Sequence, residues 1–330
     1  MAAGRILWVD KRPDLPTRDE LPLVTLAEAK KLGLTSRVLR WRVDHGRWQR
    51  PHRSVYVTHN GPIDWATSAG AALLAAGPGA ALEAWSAAYV LGLAEEPEGE
   101  HALLLPTARR ITAPAGTRVR YADRPKRLLG LWPPRTTLEW TVNQITKDGS
   151  PDDALAVIGA VLQRRRTTPA RLQQVLVAER RHPHRALLRD ALTDAAGLES
   201  VLEFRWVRDV ERPHGIPPGH RQLRQTVRNC GRRYDIGYGV PPGLPDATDL
   251  LAAAACAVEL DGLLLHRGKG RVDRAKQNAA TTRGTPLLRY GWQETAETPC
   301  ETAAEIIGLA TSLGLTWPTR PCRRADCAVR

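Results

Sequence analysis

The sequence predicts an α/β multidomain chain, and three observations carry that reading. Residues 24–57 give two helix signals and then two strand signals around a proline turn. The stretch from Gly197 to Leu315 alternates helices and strands, and apolar helices mixed with short strand-like runs lie between the two. At 330 residues there is room for two or three cores. The expected divisions are an N-terminal extension over 1–20, a winged helix-turn-helix over 21–60, a middle α/β connecting domain over 61–196, an α/β/α domain with a mixed sheet over 197–315, and a basic flexible tail over 316–330.

The first residues, MAAGRILWVDKRPD, carry charge through their first turns and contain no apolar run of signal-peptide length. In VTLAEAKKLGL, Thr25 and Glu28 form a capping box that opens a helix, and Gly33 closes it. A second helix follows in TSRVLRWRVDHGRW, with Leu39 and Val43 spaced to face inward. WQRPHRSVYV then supplies two short strands, the wing. Between Ser36 and Arg53 there are six arginines against one acid, Asp44. Arg37, Arg40, Trp41 and Asp44 fall opposite the apolar stripe, and Arg42, Arg47 and Arg50 extend the basic set. A helix that presents arginines outward suits phosphate contact and major-groove reading, and a formal charge of +13 points the same way, to double-stranded DNA. A solvated surface helix or a protein-binding module are the plainer alternatives.

The frame LAEAKKLGL, RVLRWRVDHGRW, SVYV resembles the N-terminal domain of abortive-infection (AbiE-type) antitoxins. That resemblance implies promoter DNA as the ligand. A cognate toxin or a second copy of the chain is the further partner considered.

In the middle region, AGAALLAAGPGAALEAWSAAYVLGLA is interrupted by Gly77-Pro78-Gly79 and contains Glu83, so it reads as two short buried helices and not as a membrane span. HALLLPTARRITAPAGTRVRYADR has strand-like stretches, and LEWTVNQI, DALAVIGAVLQRRR and TPARLQQVLVAE read as helices. SAAYVLGL and RTTLEW resemble segments that follow the winged helix in this antitoxin-like group. No catalytic cluster shows in this region. The five cysteines, at 230, 256, 300, 322 and 327, are odd in number and lack a CxxC pair. That argues against a disulfide framework and against a zinc site, and suits a reducing cytoplasm with no membrane. Cys322 and Cys327 sit in the arginine-rich tail that is expected to be flexible.

From Gly197, GLESVLEFRWVRDVER reads as a helix, and HRQLRQTVRN and RRYDIGYGV as a pair of strands. AAACAVELDG reads as a third strand, RVDRAKQNAATTRG as a helix, TPLLRYGW as a strand, and ETAAEIIGLATSLGL as a closing helix. A strand, helix, strand sequence implies a crossover between parallel strands. Alternation puts Ala257, Glu259 and Asp261 on one face of the third strand; Tyr234 and Ile236 are expected on one face of the second, with Asp235 on the other. If the two strands are neighbours, Asp235, Glu259 and Asp261 converge. Carboxylates held together repel unless they are protonated or bind a cation, and an all-oxygen set suits Mg²⁺.

Ser200-Val201-Leu202-Glu203, Tyr234-Asp235, Glu259-Leu260-Asp261-Gly262 with His266, Asp273-Arg274-Ala275-Lys276-Gln277-Asn278, and Leu288-Arg289-Tyr290-Gly291-Trp292 follow one another in order. This series resembles the PD-(D/E)XK nucleases, in the branch related to very-short-patch-repair endonucleases. The resemblance implies a restriction-endonuclease-like α/β/α fold that uses Mg²⁺, with Mn²⁺ as a substitute, to hydrolyse DNA. It implies Asp235 and Glu259 as metal ligands and Asp261 as a further ligand or supporting acid. It implies His266 on the phosphate or as a proton shuttle, and Glu203 completing the acidic cluster. Glu203 equally fits a capping box with Ser200. The family's usual lysine two residues after the second acid is Asp261 here, and Lys276 or Lys269 is the candidate replacement. Repair or defence against mobile elements is the expected setting. The competing reading is a non-catalytic antitoxin-type transcriptional regulator that keeps a degenerate nuclease fold.

Overall fold

Thr25 opens the first helix as its spacing predicts. Its hydroxyl accepts the Glu28 amide at 3.2 Å, and the Glu28 carboxylate takes the Thr25 amide at 2.7 Å. The computed structural model describes residues 13–179, 181–194, 201–227, 230–244, 249–261 and 270–330. The chain divides into two units, Met1–Val157 with Arg171–Arg185, and Ile158–Ala170 with Ala186–Arg330.

In the first unit, β1 (Leu23–Thr25), α1 (Leu26–Lys31), α2 (Ser36–Asp44), β2 (Gln49–His52) and β3 (Val55–Val57) come first, and their strands form a sheet of order β1-β3-β2. Leu39 is fully buried with Ala29, Val24 and Tyr56, and Val43 packs at the edge of that cluster. The opposite face of this sheet is completed by α3 (Trp65–Ala76). Leu21, Leu23, Val55 and Val57 share a core with Ala71, Ala66 and Leu74. Gly70 of α3 is where the leucines lie closest: a Cβ there would stand 2.9 Å from a Leu21 methyl and 3.0 Å from one of Leu23. The 21–60 segment therefore holds one cluster of its own around Leu39, and its other sheet face shares a core with the following region.

Next come β4 (Ala81–Leu82), α4 (Ala84–Val90), β5 (His101–Leu105), β6 (Thr117–Tyr121), β7 (Arg127–Leu128) and β8 (Arg135–Thr136), which build a mixed sheet of order β6-β5-β4-β8-β7. Glu83, which is buried, is paired by the Arg120 guanidinium at 2.9 and 2.8 Å, as a carboxylate in an apolar setting requires. α5 (Leu138–Ile145), α6 (Pro151–Gln163), α7 (Pro169–Ala178) and α8 (Arg185–Asp194) follow, three of them on the segments that read as helices. Among the described residues no helix is long and apolar enough to cross a membrane.

The second unit continues with α9 (Val201–Arg205), a π-helical stretch Trp206–Glu211 and α10 (Arg212–His214). Its four-stranded mixed sheet has the order β12-β11-β10-β9, built from β9 (His220–Val227), β10 (Cys230–Tyr238), β11 (Cys256–Asp261) and β12 (Leu287–Gly291). β9, β10 and β11 pair antiparallel, while β11 and β12 are parallel and joined through α12 (Gly270–Thr282). α11 (Leu250–Ala253), α13 (Trp292–Ala296) and α14 (Pro299–Ser312) complete the set. One face of the sheet carries Cys256, Val258, Ile236 and Tyr238 against Trp206, Ala303 and Ile306 of the flanking helices. The other carries Ala257, Leu223 and Tyr234 against Leu251 and Ala280.

Two expectations are corrected by this architecture. Tyr234 and Ile236 belong to opposite faces of the sheet. The register explains why: opposite Asp235 stands Gln222, whose φ of +53° is in the left-handed region, so the β9–β10 ladder is distorted at that step. The tail is also not free of the fold. The Arg320 amide donates to the His214 carbonyl at 3.0 Å, Trp317 packs 5.2 Å from the Tyr238 ring, and Val329 is buried. It passes so near the end of α10 that a Cβ on Gly215 would lie 2.2 Å from the Pro318 carbonyl oxygen. Apolar Trp317 and Val329, set among the arginines, hold the segment down.

Candidate active site on the mixed sheet

The site is built where β10, β11 and α12 meet. β11 is buried through its first residues because both sheet faces are covered, and Glu259 is only 6 % exposed. A carboxylate there needs a partner. α12 delivers it: the Lys276 ammonium lies 2.9 and 3.1 Å from the two Glu259 oxygens. Lys276 is in turn located by β10. The Tyr234 hydroxyl donates to the Lys276 carbonyl at 3.1 Å, and the ammonium sits 5.6 Å from the centre of the Tyr234 ring.

Asp235 reaches across from the distorted step of β10, and its Oδ2 accepts the Leu260 amide of β11 at 2.6 Å. Asp261 is held by Arg289 of β12 through two parallel bonds of 2.9 and 2.8 Å. Burial first, and then the Asp235 charge, pushes Glu259 up to about 7; Lys276 opposes the shift and Asp261 adds to it. Asp235, Glu259 and Asp261 thus form one electrostatic cluster, with a lysine and an arginine placed against it.

Glu203 of α9 is 2 % exposed and receives the Gln222 side-chain amide at 3.4 Å, at the β9 side of the sheet. Its suggested capping partner Ser200 lies outside the described residues, as do His266 and Lys269. Gln222 touches Glu203 and stands opposite Asp235 in the strand register, so the strained backbone lies between two of the acids named from the sequence.

The donor set is all oxygen, with two carboxylates on adjacent strands and a third one step along, and this chemistry fits Mg²⁺. The three acids are not gathered as tightly as a different group, His214, Cys300, Cys322 and Cys327, whose ligand atoms all lie within 4.8 Å of one another. The odd cysteine count and the lack of a CxxC pair point away from any such group. The only signal for it was the Cys322-x₄-Cys327 spacing, which lies within the range of zinc-ligand pairs.

In the first unit, Arg37, Arg40, Trp41 and Arg47 are exposed, as the stripe of α2 predicts. Arg47 stands 5.1 Å from the Trp41 ring centre, and Trp41 stacks on His45. Arg42 differs: it is half-buried, with its guanidinium 4.3 Å from the Trp48 ring centre. Arg50 is exposed, but its Nε donates to the Arg53 carbonyl at 3.0 Å. Arg37, Arg40 and Arg47 are therefore the members of the basic set that present their charge most openly.

The elevated Glu259 has a consequence for stability in metal-free buffer. Below its ordinary value of 4.5 it is protonated both folded and unfolded. Between 4.5 and about 7 the folded chain binds a proton that the unfolded chain has released. Its contribution to stability is therefore full below 4.5 and is lost as pH rises through about 7. In thermal melts without added Mg²⁺ or Mn²⁺ across that window, Glu259→Gln should show a shallower decline of Tm with pH than the wild type. Equal slopes would place the proton elsewhere.

A scan against protein-family models finds no match for the chain, and a search among curated proteins finds none.

Proposed function

We propose that the chain is a DNA-binding protein whose second unit hydrolyses DNA phosphodiester bonds with Mg²⁺. The observation that carries this reading is the meeting of Asp235, Glu259 and Lys276 at the β10–β11 junction, where two acids and a cation lie together in a half-buried setting. Asp235 and Glu259 would hold the ion, with Asp261 as an additional or supporting acid. Bound Mg²⁺ supplies charge that favours an attacking hydroxide and offsets the negative charge growing on a scissile phosphate. Lys276 then serves as the cation for the phosphate oxygens, the role left vacant by Asp261 on the strand, and Arg289 keeps Asp261 in place.

Supercoiled plasmid incubated with the full chain tests this reading. Mg²⁺ or Mn²⁺ should yield nicked or linear DNA, and chelator should abolish the product. Intact plasmid with both metals would remove the enzymatic assignment.

One observation favours a second reading. Glu259 and Asp261 are already paired with Lys276 and Arg289, so most of the cluster's charge is balanced without an ion. A regulator that binds DNA and retains a non-cutting nuclease-like fold would have this arrangement. Both readings place DNA on α2. Arg37→Ala with Arg40→Ala should weaken binding about tenfold or more at low salt and reduce the slope of log affinity against log salt by close to two. Binding unchanged by the pair would move the DNA surface elsewhere.

A further inference from the structure

We propose that His214, Cys300, Cys322 and Cys327 bind one zinc ion, which fastens the C-terminal segment to the end of α10 and the start of α14. The four side chains come from three separate places in the sequence, and the folded tail brings them together. Each offers a ligand atom within 4.8 Å of all the others. The Cys300 and Cys322 sulfurs are 3.5 Å apart and both residues are free thiols. Tetrahedral ligands at ordinary Zn–S and Zn–N lengths stand about 3.5–3.8 Å from one another, so these positions need little adjustment to close on an ion.

The histidine supplies an independent argument. His214 is 1 % exposed, and its Nδ1 lies 2.8 Å from the Val210 carbonyl, so that nitrogen carries the proton. Nε2 is left as a lone-pair donor, and it is buried with no hydrogen-bond partner. An imidazole fixed through one nitrogen to a carbonyl, with the other aimed at a group of thiols, is the tautomer a metal ligand requires. A buried nitrogen without a partner is otherwise costly.

The surroundings suit thiolates. The Cys322 amide points to the Cys327 sulfur at 3.3 Å, and the Arg324 amide to the Cys322 sulfur at 3.4 Å. Cys300 occupies the first turn of α14, a helix of 14 residues whose N-terminus favours negative charge. Three thiolates and a neutral imidazole around Zn²⁺ carry a net single negative charge, and three thiol protons leave to solvent on binding. Arg320, Arg323 and Arg324 line the adjoining cleft and offset that charge. With four protein ligands there is no open coordination position, so the ion is structural.

Metal analysis of the full chain, purified without chelator, tests this proposal. One equivalent of zinc is expected. The cobalt-substituted protein should show a thiolate-to-metal charge-transfer band and the intense visible absorption of tetrahedral cobalt. Cys322→Ala and Cys327→Ala should lose the metal, while Cys256→Ala, in the sheet core and outside the group, should retain it. His214→Cys should keep an ion and strengthen the charge-transfer band. If the alanine variants do not fold, cobalt titration of the reduced wild-type chain decides the matter alone. Failure of reduced wild type to take up zinc or cobalt stoichiometrically would overturn the site, and so would full metal content in a folded Cys322→Ala, Cys327→Ala double variant.

Discussion

Asp235→Asn is expected to lower Mg²⁺-dependent DNA cleavage by about 10²–10⁴-fold, the range typical of losing one group that acts on transition-state charge. The substitution separates charge from structure. Asparagine has the same shape and keeps a side-chain oxygen that can accept the Leu260 amide now held at 2.6 Å. The β10–β11 junction should therefore survive, with Tm shifted by no more than a few degrees. What disappears is the negative charge, which is both a proposed ligand for the ion and a cause of the raised proton affinity of Glu259. Turnover and thermal stability measured on the same preparation make the comparison. Cleavage retained in Asp235→Asn but lost in Asp235→Ala would show that Asp235 acts only as a brace for β11.

The second large effect is on stability and concerns Glu211. This residue is 2 % exposed at the end of the π-helical stretch, and it accepts the Tyr238 hydroxyl at 2.6 Å and the Gly219 amide at 3.2 Å. It also pairs with the Arg221 guanidinium, and the Trp206 indole N–H donates to the Tyr238 oxygen at 2.8 Å. Burial and the Glu211 charge together hold the Tyr238 phenol well above its usual range, so it remains the donor. Glu211→Ala strands a buried hydroxyl and a cation beside a new cavity. Removing one partner of a buried charged network costs about 3–5 kcal/mol, and equilibrium denaturation should show a loss of that order. Glu211→Gln keeps an acceptor for Tyr238 and should cost less. Equal losses would assign the effect to packing rather than to the network.

How much was legible in the sequence depended on the range of the interactions involved. The Thr25–Glu28 box, the inward Leu39, and the β11–α12–β12 crossover all rest on local spacing, and they form where the residues place them. Strand alternation failed at one step, Tyr234 against Ile236, because the ladder is distorted opposite Gln222 and nothing in RRYDIGY announces the partner's backbone. Lys276 could be named as a candidate cation but not located, since its position depends on how α12 packs over Tyr234 and Ala257. The 21–60 segment reads as a compact unit from its own two helices and hairpin, and it does hold a cluster of its own around Leu39. Its other sheet face needs Ala71 and the missing side chain of Gly70, both in the next element. The tail was misread because its anchoring is long-range. A run of arginines suggests solvation, while the contacts that hold it are made to residues far earlier in the chain.

Whether the acids of β10 and β11 take up a divalent cation decides the proposed function. The most direct measurement is equilibrium Mn²⁺ binding, followed by loss of the free-ion paramagnetic resonance signal, on chain already loaded with zinc. The wild type should bind Mn²⁺ saturably, Asp235→Asn and Glu259→Gln should each weaken that binding at least about tenfold, and Mg²⁺ should compete for the same site. Binding that is unchanged in both variants, or absent from the wild type, would contradict a cation site at this junction.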